Sequence, residues 1–266
     1  MKRRTMLATA AAAAAAPLAA YAQGKSEGNM DGRQYLELRK YLLMPGEKKE
    51  KFMQFMEKAA VPALNRLGVA PVGAFTVLYG QNTPASALYV LVTYPSLEAW
   101  ATTKYRLAAD QQFMADGADV LDAPLSDPAY IRVETTLLHA FKGMPTVEVP
   151  PQKTAGKNRI FELRIYESPT VKAAIKKIHM FNEGGEIQIF RDSGLNPVFF
   201  GETLAGPQMP NLHYMLCHDD MAARDANWKV FAGSDGWNKL KVMEEYKDTV
   251  SNITDIILRP TSFSQL

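Results

Sequence analysis

Short runs that alternate apolar and polar residues punctuate this chain, separated by longer stretches with helical spacing, and the whole pattern occurs twice. Tyr35-Leu-Glu-Leu-Arg-Lys-Tyr41 and Ile160-Phe-Glu-Leu-Arg-Ile-Tyr166 both alternate with a period of two and predict strands. A helical stretch follows each, Pro45–Leu67 and Thr170–Ser193, and each stops at a glycine, Gly68 or Gly194, suited to a left-handed helix end. Second strands are predicted at Val72–Tyr79 and Val198–Glu202, and third strands at Leu88–Tyr94 and Leu212–His218. Second helices follow at Ser96–Ala118 and Asp220–Glu245, and β-rich runs close the copies at Tyr130–Phe141 and Ser251–Arg259. Matching positions lie about 125 residues apart throughout, the mark of an internal duplication.

The order β-α-β-β-α-β in each copy is the split, ferredoxin-like unit. The predicted fold class is therefore α+β. Two tandem modules, 34–141 and 159–261, are joined by a linker, 142–158, that contains Pro145, Pro150 and Pro151. In such a unit both helices cover one face of the sheet. Phe75–Tyr79 and Leu88–Val92 are too uniformly apolar to leave the other face in water. The expected partner is the second copy, giving an α+β barrel within one chain; the alternative is two modules that each pair with another chain.

The N-terminus differs in composition from the rest of the chain. Lys2, Arg3 and Arg4 precede an apolar run, and Ala20-Tyr21-Ala22 offers a small-x-small cleavage site, so residues 1–22 are expected to be an export signal. Arg3-Arg4-Thr5-Met6-Leu7 also fits a twin-arginine signal, and the expected destination is periplasmic or secreted by either route. The formal charge of +2 falls to −1 once those three cations are removed. No basic run follows, which argues against nucleic acid as a partner. The run is short for a membrane span, so none is expected in the mature chain. Cys217 is the single cysteine and sits in an apolar strand, so it reads as a buried, inert thiol.

Candidate chemistry concentrates in the second copy. His179, Asn182, Glu183 and Glu186 share one helical face, whereas the matching positions Met53, Met56, Glu57 and Ala60 are mostly apolar. His179 is the candidate proton-transfer group, with Glu183 or Glu186 to orient it. The bland alternative is a solvated helix face. Glu37-x-Arg39-x-Tyr41 and Glu162-x-Arg164-x-Tyr166 line one strand face each. If the apolar set on those strands packs on the helices, the polar set lines the barrel. Buried Glu and Arg then have to pair, either as a structural network or as a pocket wall. Arg164, Tyr166, Asn182 and Tyr214 are the candidate ligand-binding residues. His213 and His218 point to opposite strand faces, which speaks against a metal pair, and no metal ligands are proposed. His139 reads as a satisfied core histidine, and Trp228 with Phe231 as core packing. Gly-x-Gly-x-x-Gly, P-loop, Gly-x-Ser-x-Gly and Cys-x-x-Cys motifs are all missing from the sequence, which disfavours nucleotide cofactors and serine hydrolysis.

Met180-Phe-Asn-Glu-Gly-Gly-Glu186, Gly194-Leu-Asn-Pro-Val-Phe-Phe-Gly-Glu-Thr203 and Met209-Pro-Asn-Leu-His-Tyr214 resemble the NIPSNAP family, as do Asp220–Asp225, Trp228, Phe231, Trp237 and Ser251-Asn-Ile253. The resemblance is strong over about 160–260 and traceable over 35–141. It implies the dimeric α+β-barrel superfamily and an exported bacterial type, but no defined activity. Other families on that fold bind or degrade haem or oxygenate small aromatics, so haem is a cofactor the fold allows without a motif here that asks for it. The expectation is a small-molecule pocket in the second module, with His-assisted acid/base chemistry as one option. A non-catalytic interaction scaffold is the first alternative and a haem-binding or monooxygenase-like protein the second. Whether the chain is an enzyme, and whether it forms a homo-oligomer, is left open by these residues.

Overall fold

The two modules supply eight strands, and the hydrogen-bond ladders join them into one ring. The computed structural model describes residues 31–80 and 83–266; the expected export signal lies outside them. Module one contributes β1 (Tyr35–Leu42), β2 (Val72–Gly80), β3 (Ala87–Tyr94) and β4 (Arg132–Ala140). Module two contributes β5 (Ile160–Glu167), β6 (Asn196–Ala205), β7 (Asn211–His218) and β8 (Asn252–Pro260). The order round the closed barrel is β1-β3-β2-β8-β5-β7-β6-β4, antiparallel at every step. Each module's sheet is thus contiguous, and β2–β8 and β4–β6 are the two seams between modules. Strands β1 and β5 run the same way, so the approximate twofold relating the modules lies along the barrel axis.

The helices pack outside. Module one carries α1 (Glu47–Phe55), α2 (Val61–Arg66), α3 (Leu97–Ala108), α4 (Gln111–Asp116) and α5 (Ala118–Leu121). A π turn, Met56–Ala60, joins α1 to α2. The linker holds α6 (Pro151–Thr154), and module two carries α7 (Val171–Asn182), α8 (Glu186–Asp192), α9 (Met221–Gly233) and α10 (Asp235–Leu240). Several predicted helices are therefore shorter than the sequence pattern suggested. Asp110 starts α4 by accepting from Phe113 N, and Ser234 starts α10 by accepting from Trp237 N; each is a new N-cap inside a predicted single helix. The predicted helix Thr170–Ser193 breaks at Gly184-Gly185. Gly185 adopts φ 84°. A Cβ on Gly184 would come within 2.6 Å of the Met180 carbonyl oxygen, so both glycines are required by the break.

The inner face of the barrel is the apolar one. Leu36 and Leu38 of β1, Leu91 of β3, Phe161 and Leu163 of β5, Met215 and Cys217 of β7 and Leu258 of β8 form a single buried cluster. This corrects the conditional expectation that Glu37-x-Arg39-x-Tyr41 and Glu162-x-Arg164-x-Tyr166 line the interior: they face the helices. The reason is that the deep barrel interior offers charged groups no water, whereas on the outer face donors reach them, Arg224 and Trp228 of α9 at Glu162 and Tyr94 of β3 at Glu37. Phe75 of module one meets Phe161 of module two at a ring-centroid distance of 4.8 Å, edge to face, so the modules share one core. One end of the barrel is plugged by Val147 from the linker and by Leu266, both part of the same cluster. The linker therefore packs against the barrel as well as connecting the modules.

A shared core makes a definite stability prediction. Phe161, fully buried, should cost about 3–5 kcal/mol when replaced by alanine. Urea unfolding followed by tryptophan fluorescence measures it, and a loss below about 1 kcal/mol would contradict a packed barrel centre.

Candidate functional site

The residues singled out from the sequence are not gathered round one opening, although the buried Lys177–Glu186 pair lies against Tyr166. His179 lies on the outer side of α7, with its side chain 47% exposed; its Nδ1 is 2.9 Å from the Tyr246 hydroxyl and 3.7 Å from Glu245. Glu183 is exposed one residue past the end of α7. Asn182 bridges backbone, its Oδ1 accepting from Gly143 N (2.8 Å) and its Nδ2 donating to Ile178 O (3.1 Å). Glu186 is on the far side of the Gly184-Gly185 break, buried, and accepts from Lys177 Nζ at 2.7 Å. Burial raises its pKa, against the pull of Lys177. The ammonium of Lys177 also lies 4.6 Å from the centroid of Phe181. So the structure does not gather the His179 face into one site: a break of helix geometry separates its members, and Glu186 is held by a buried ion pair.

Arg164, Tyr166 and Tyr214 belong to the layer between sheet and helices. Tyr214 donates to the Tyr166 hydroxyl at 2.8 Å, both rings buried in the module-two core. Arg164 donates to Glu162 at 2.9 Å and lies over the Trp228 ring. Glu162, with no exposed surface, also accepts from Arg224 Nη2 (2.7 Å) and Nε (3.0 Å), from Trp228 Nε1 (2.7 Å) and pairs with His218 Nε2 (3.1 Å). Burial works against its charge. The hydrogen bonds from His218, Arg224 and Trp228 and the charge of Arg164 outweigh that and lower its pKa. Asp255 closes the cluster through Arg224 (2.9 Å); burial first, then the nearby Glu162 charge, push its carboxyl up to about 6. Module one repeats the motif in reduced form: Glu37 accepts from Arg39 (2.7 Å) and the Tyr94 hydroxyl (2.8 Å). In module two the Arg224 and Trp228 contacts dock α9 on the sheet, whereas the partners of Glu37 are all on strands.

A cavity of about 400 Å³ lies elsewhere, in the barrel interior at the end opposite the Val147–Leu266 plug. Leu38, Ile165 and Ile256 give it apolar walls; Tyr89, His213, Thr136, Lys40 and Glu134 give it polar ones. The strand register explains the arrangement. Tyr89, Lys40 and Glu134 sit side by side on β3, β1 and β4. His213, Ile165 and Thr254 occupy the equivalent places on β7, β5 and β8. The axial twofold brings these two triplets to the same end, so Tyr89 and His213 are counterparts that face one space. Gln208 and Asn252, both exposed, stand at its mouth.

The two counterparts are neutral near pH 7. Burial lowers the His213 pKa to about 3, and burial raises Tyr89 to about 12 despite a hydrogen bond with Thr83. Nδ1 of His213 is buried and has no hydrogen-bond partner among the described residues. Lys40 and Glu134 pair at 3.4 Å, which cancels their charge at the rim. The repeat alignment could have exposed this site, because it sets Tyr89 opposite His213. Within its own strand His213 has only His218 for comparison, and the two point to opposite faces.

Cys217 and His139 lie outside this cavity. Burial pushes the Cys217 thiol up to about 12. His139 stacks on Tyr35 at 4.5 Å, and its Nε2 lacks a hydrogen bond among the described residues, so it is not the satisfied core histidine expected. Among the described residues no group of three or more His, Cys, Asp or Glu could hold a metal, and no helix is long and apolar enough to cross a membrane.

The family model for NIPSNAP matches residues 36–120 and 161–265. No curated protein matches the sequence. A proposed monooxygenase of Lactobacillus acidophilus has a similar structure, with a TM-score of 0.57 at 11% identity over 86% of this chain and 94% of its own. A proposed monooxygenase of Fusobacterium nucleatum gives a TM-score of 0.53 at 9% identity over 86% and 93%. A NIPSNAP family protein of Agrobacterium tumefaciens is 22% identical over 41% of this chain and 98% of its own, with a TM-score of 0.36. At these identities the likeness shows the fold alone.

Two stability measurements follow from the site. Glu162→Gln leaves Arg164 and Arg224 short of a partner and should cost about 3–5 kcal/mol in urea unfolding; a loss below about 1 kcal/mol would contradict the docking role. His213 is protonated near pH 6.5 when unfolded and near 3 when folded. Between those values the unfolded chain binds the extra proton, so stability is full above pH 6.5 and is lost as pH falls. Between pH 7 and 4.5 the native chain should lose about 2 kcal/mol more than His213→Leu; equal losses would show that His213 is not held neutral.

Proposed function

This chain belongs to the NIPSNAP family, and on that premise we propose that its barrel binds a small uncharged molecule carrying a hydroxyl or carbonyl group. The observation that carries the reading is a neutral, buried His213 whose Nδ1 has no partner, lining a cavity opposite Tyr89. A buried polar atom left unpaired costs about 1–3 kcal/mol, which a hydrogen bond from or to a ligand recovers. The cavity volume, about 400 Å³, lies within the usual range for small-molecule sites. With its pKa near 3, His213 is too weak a base to take a proton near pH 7. A neutral imidazole can instead hydrogen-bond and polarise a carbonyl, and Tyr89 can donate to the same or a second oxygen. The acid/base role first attached to His179 thus becomes a hydrogen-bonding role at His213. The pairing of Lys40 with Glu134 removes net charge from the rim and so favours an uncharged ligand.

Haem, which the fold admits, finds less support. The unpartnered imidazole that could ligate iron sits in a cavity near the lower end of the range for ordinary ligands. The export signal expected at residues 1–22 places this binding function, on the same reading, in the periplasm or outside the cell.

The test is a thermal-shift and NMR screen of the mature protein with small phenols and cyclic ketones. Members that bind should lose about tenfold or more in affinity in His213→Leu and several-fold in Tyr89→Phe. Affinity should stay flat from pH 5 to 8, because neither group titrates there. Binding undiminished in both variants, or an affinity that follows a group titrating near pH 6.5, would overturn the proposal.

A further inference from the structure

A second cleft, of about 600 Å³, lies at the other end of the barrel, where the linker meets β5 and β8. It is lined by Lys153, Lys157, Arg159 and Arg259 against two carboxylates, Asp219 and Asp220. The carboxylates are engaged: Asp219 accepts from Gln152 Nε2 (2.7 Å), and Asp220 caps α9 by accepting from Ala223 N (2.8 Å). Two of the cations are spent on main-chain oxygens, Lys153 on Ser264 (2.8 Å) and Arg159 Nη2 on Leu266 (2.5 Å). Lys157 and Arg259 are exposed and make no side-chain hydrogen bond or ion pair among the described residues. Two lining residues also carry buried polar atoms without partners: Nε of Arg159 and Oγ1 of Thr261.

The repeat shows that the fold does not need a cation at the place of Arg259. Extending the β5–β8 ladder by one step sets Arg259 where His139 stands in module one, and Arg159 matches Gln34. There His139 stacks on Tyr35, and the Gln34 side chain accepts from Val147 N at 2.8 Å. Module one fills this place with the linker, His139 and the Arg33–Asp31 pair, whose charges cancel; module two leaves a cleft in which cations outnumber carboxylates. Desolvated guanidinium and hydroxyl groups recognise oxyanions through charge-assisted hydrogen bonds.

We propose that this cleft binds a small anion with oxygen acceptors, a phosphate or a dicarboxylate, held by Lys157, Arg259, the free Arg159 Nε and the Thr261 hydroxyl. It is separate from the Tyr89–His213 cavity and does not depend on it. The test is an amide NMR titration of the mature protein with inorganic phosphate and, in parallel, with succinate, each against sodium chloride at equal ionic strength. Saturable shifts confined to residues 156–160 and 259–262 are expected with at least one of the two, and which one names the class. Lys157→Ala/Arg259→Ala should weaken that binding at least tenfold without moving the melting temperature, since both side chains are exposed. Shifts matched by chloride, or saturable binding undiminished in the double variant, would overturn the proposal.

Discussion

The pairing of β2 with β8 and of β4 with β6 is the constraint from which the rest of the molecule follows. Each four-stranded sheet has an apolar face that a lone module could not hide. Joining the sheets edge to edge turns both faces inward and leaves no strand edge running the length of the barrel. The fill of that interior is uneven. Val147 and Leu266 complete the apolar core at one end, while at the other the polar Tyr89, His213, Lys40 and Glu134 surround open space. Because the twofold runs along the barrel, both copies contribute their equivalent residues to that end. A duplication that has diverged can in this way build one asymmetric cavity from two formerly equal walls.

Divergence between the copies also explains most of the polar residues found only in the second. Glu37 is satisfied by Arg39, Tyr94 and Thr135. Its counterpart Glu162 draws in Arg224 and Trp228 from α9 and His218 from β7. Lys177 and Glu186, buried together among Tyr166, Phe181 and Trp237, stand where module one has the exposed Lys51 and the buried Ala60. In both cases extra charge is matched within the sheet–helix layer. Such networks fix how helices dock more than they stabilise, because the desolvation of the ions offsets much of their attraction.

Much of the fold could be read from the residues. Alternation gave the strands to within a residue or two in most cases, and the apolar runs Phe75–Tyr79 and Leu88–Val92 required a covered second face. The direction of that face could not be read locally, since Leu36 and Leu38 alternate with Glu37 and Arg39 and either set could have turned inward. What decides it is the supply of partners to Glu162 from Arg224 and Trp228, some sixty residues further along β5's chain. The helix break was hidden for a related reason: Gly184-Gly185 reads as two costly residues in a helix until the approach of Tyr246 is known. The His179 face dissolved with that break. His213 was visible as a histidine in an apolar strand, but its significance lies in a counterpart, Tyr89, on the other module.

A disulfide across a seam reports whether the barrel closes within one chain. His139 and Glu202 are cross-strand partners between β4 and β6, at a separation that a disulfide spans when strands are paired. His139→Cys/Glu202→Cys, oxidised at low protein concentration, should give a peptide linking the two positions inside a chain of single-chain mass, with Cys217 remaining a free thiol. A disulfide found only between chains, or a seam that stays reduced in the folded protein, would contradict the intrachain barrel and with it the cavity the two modules share.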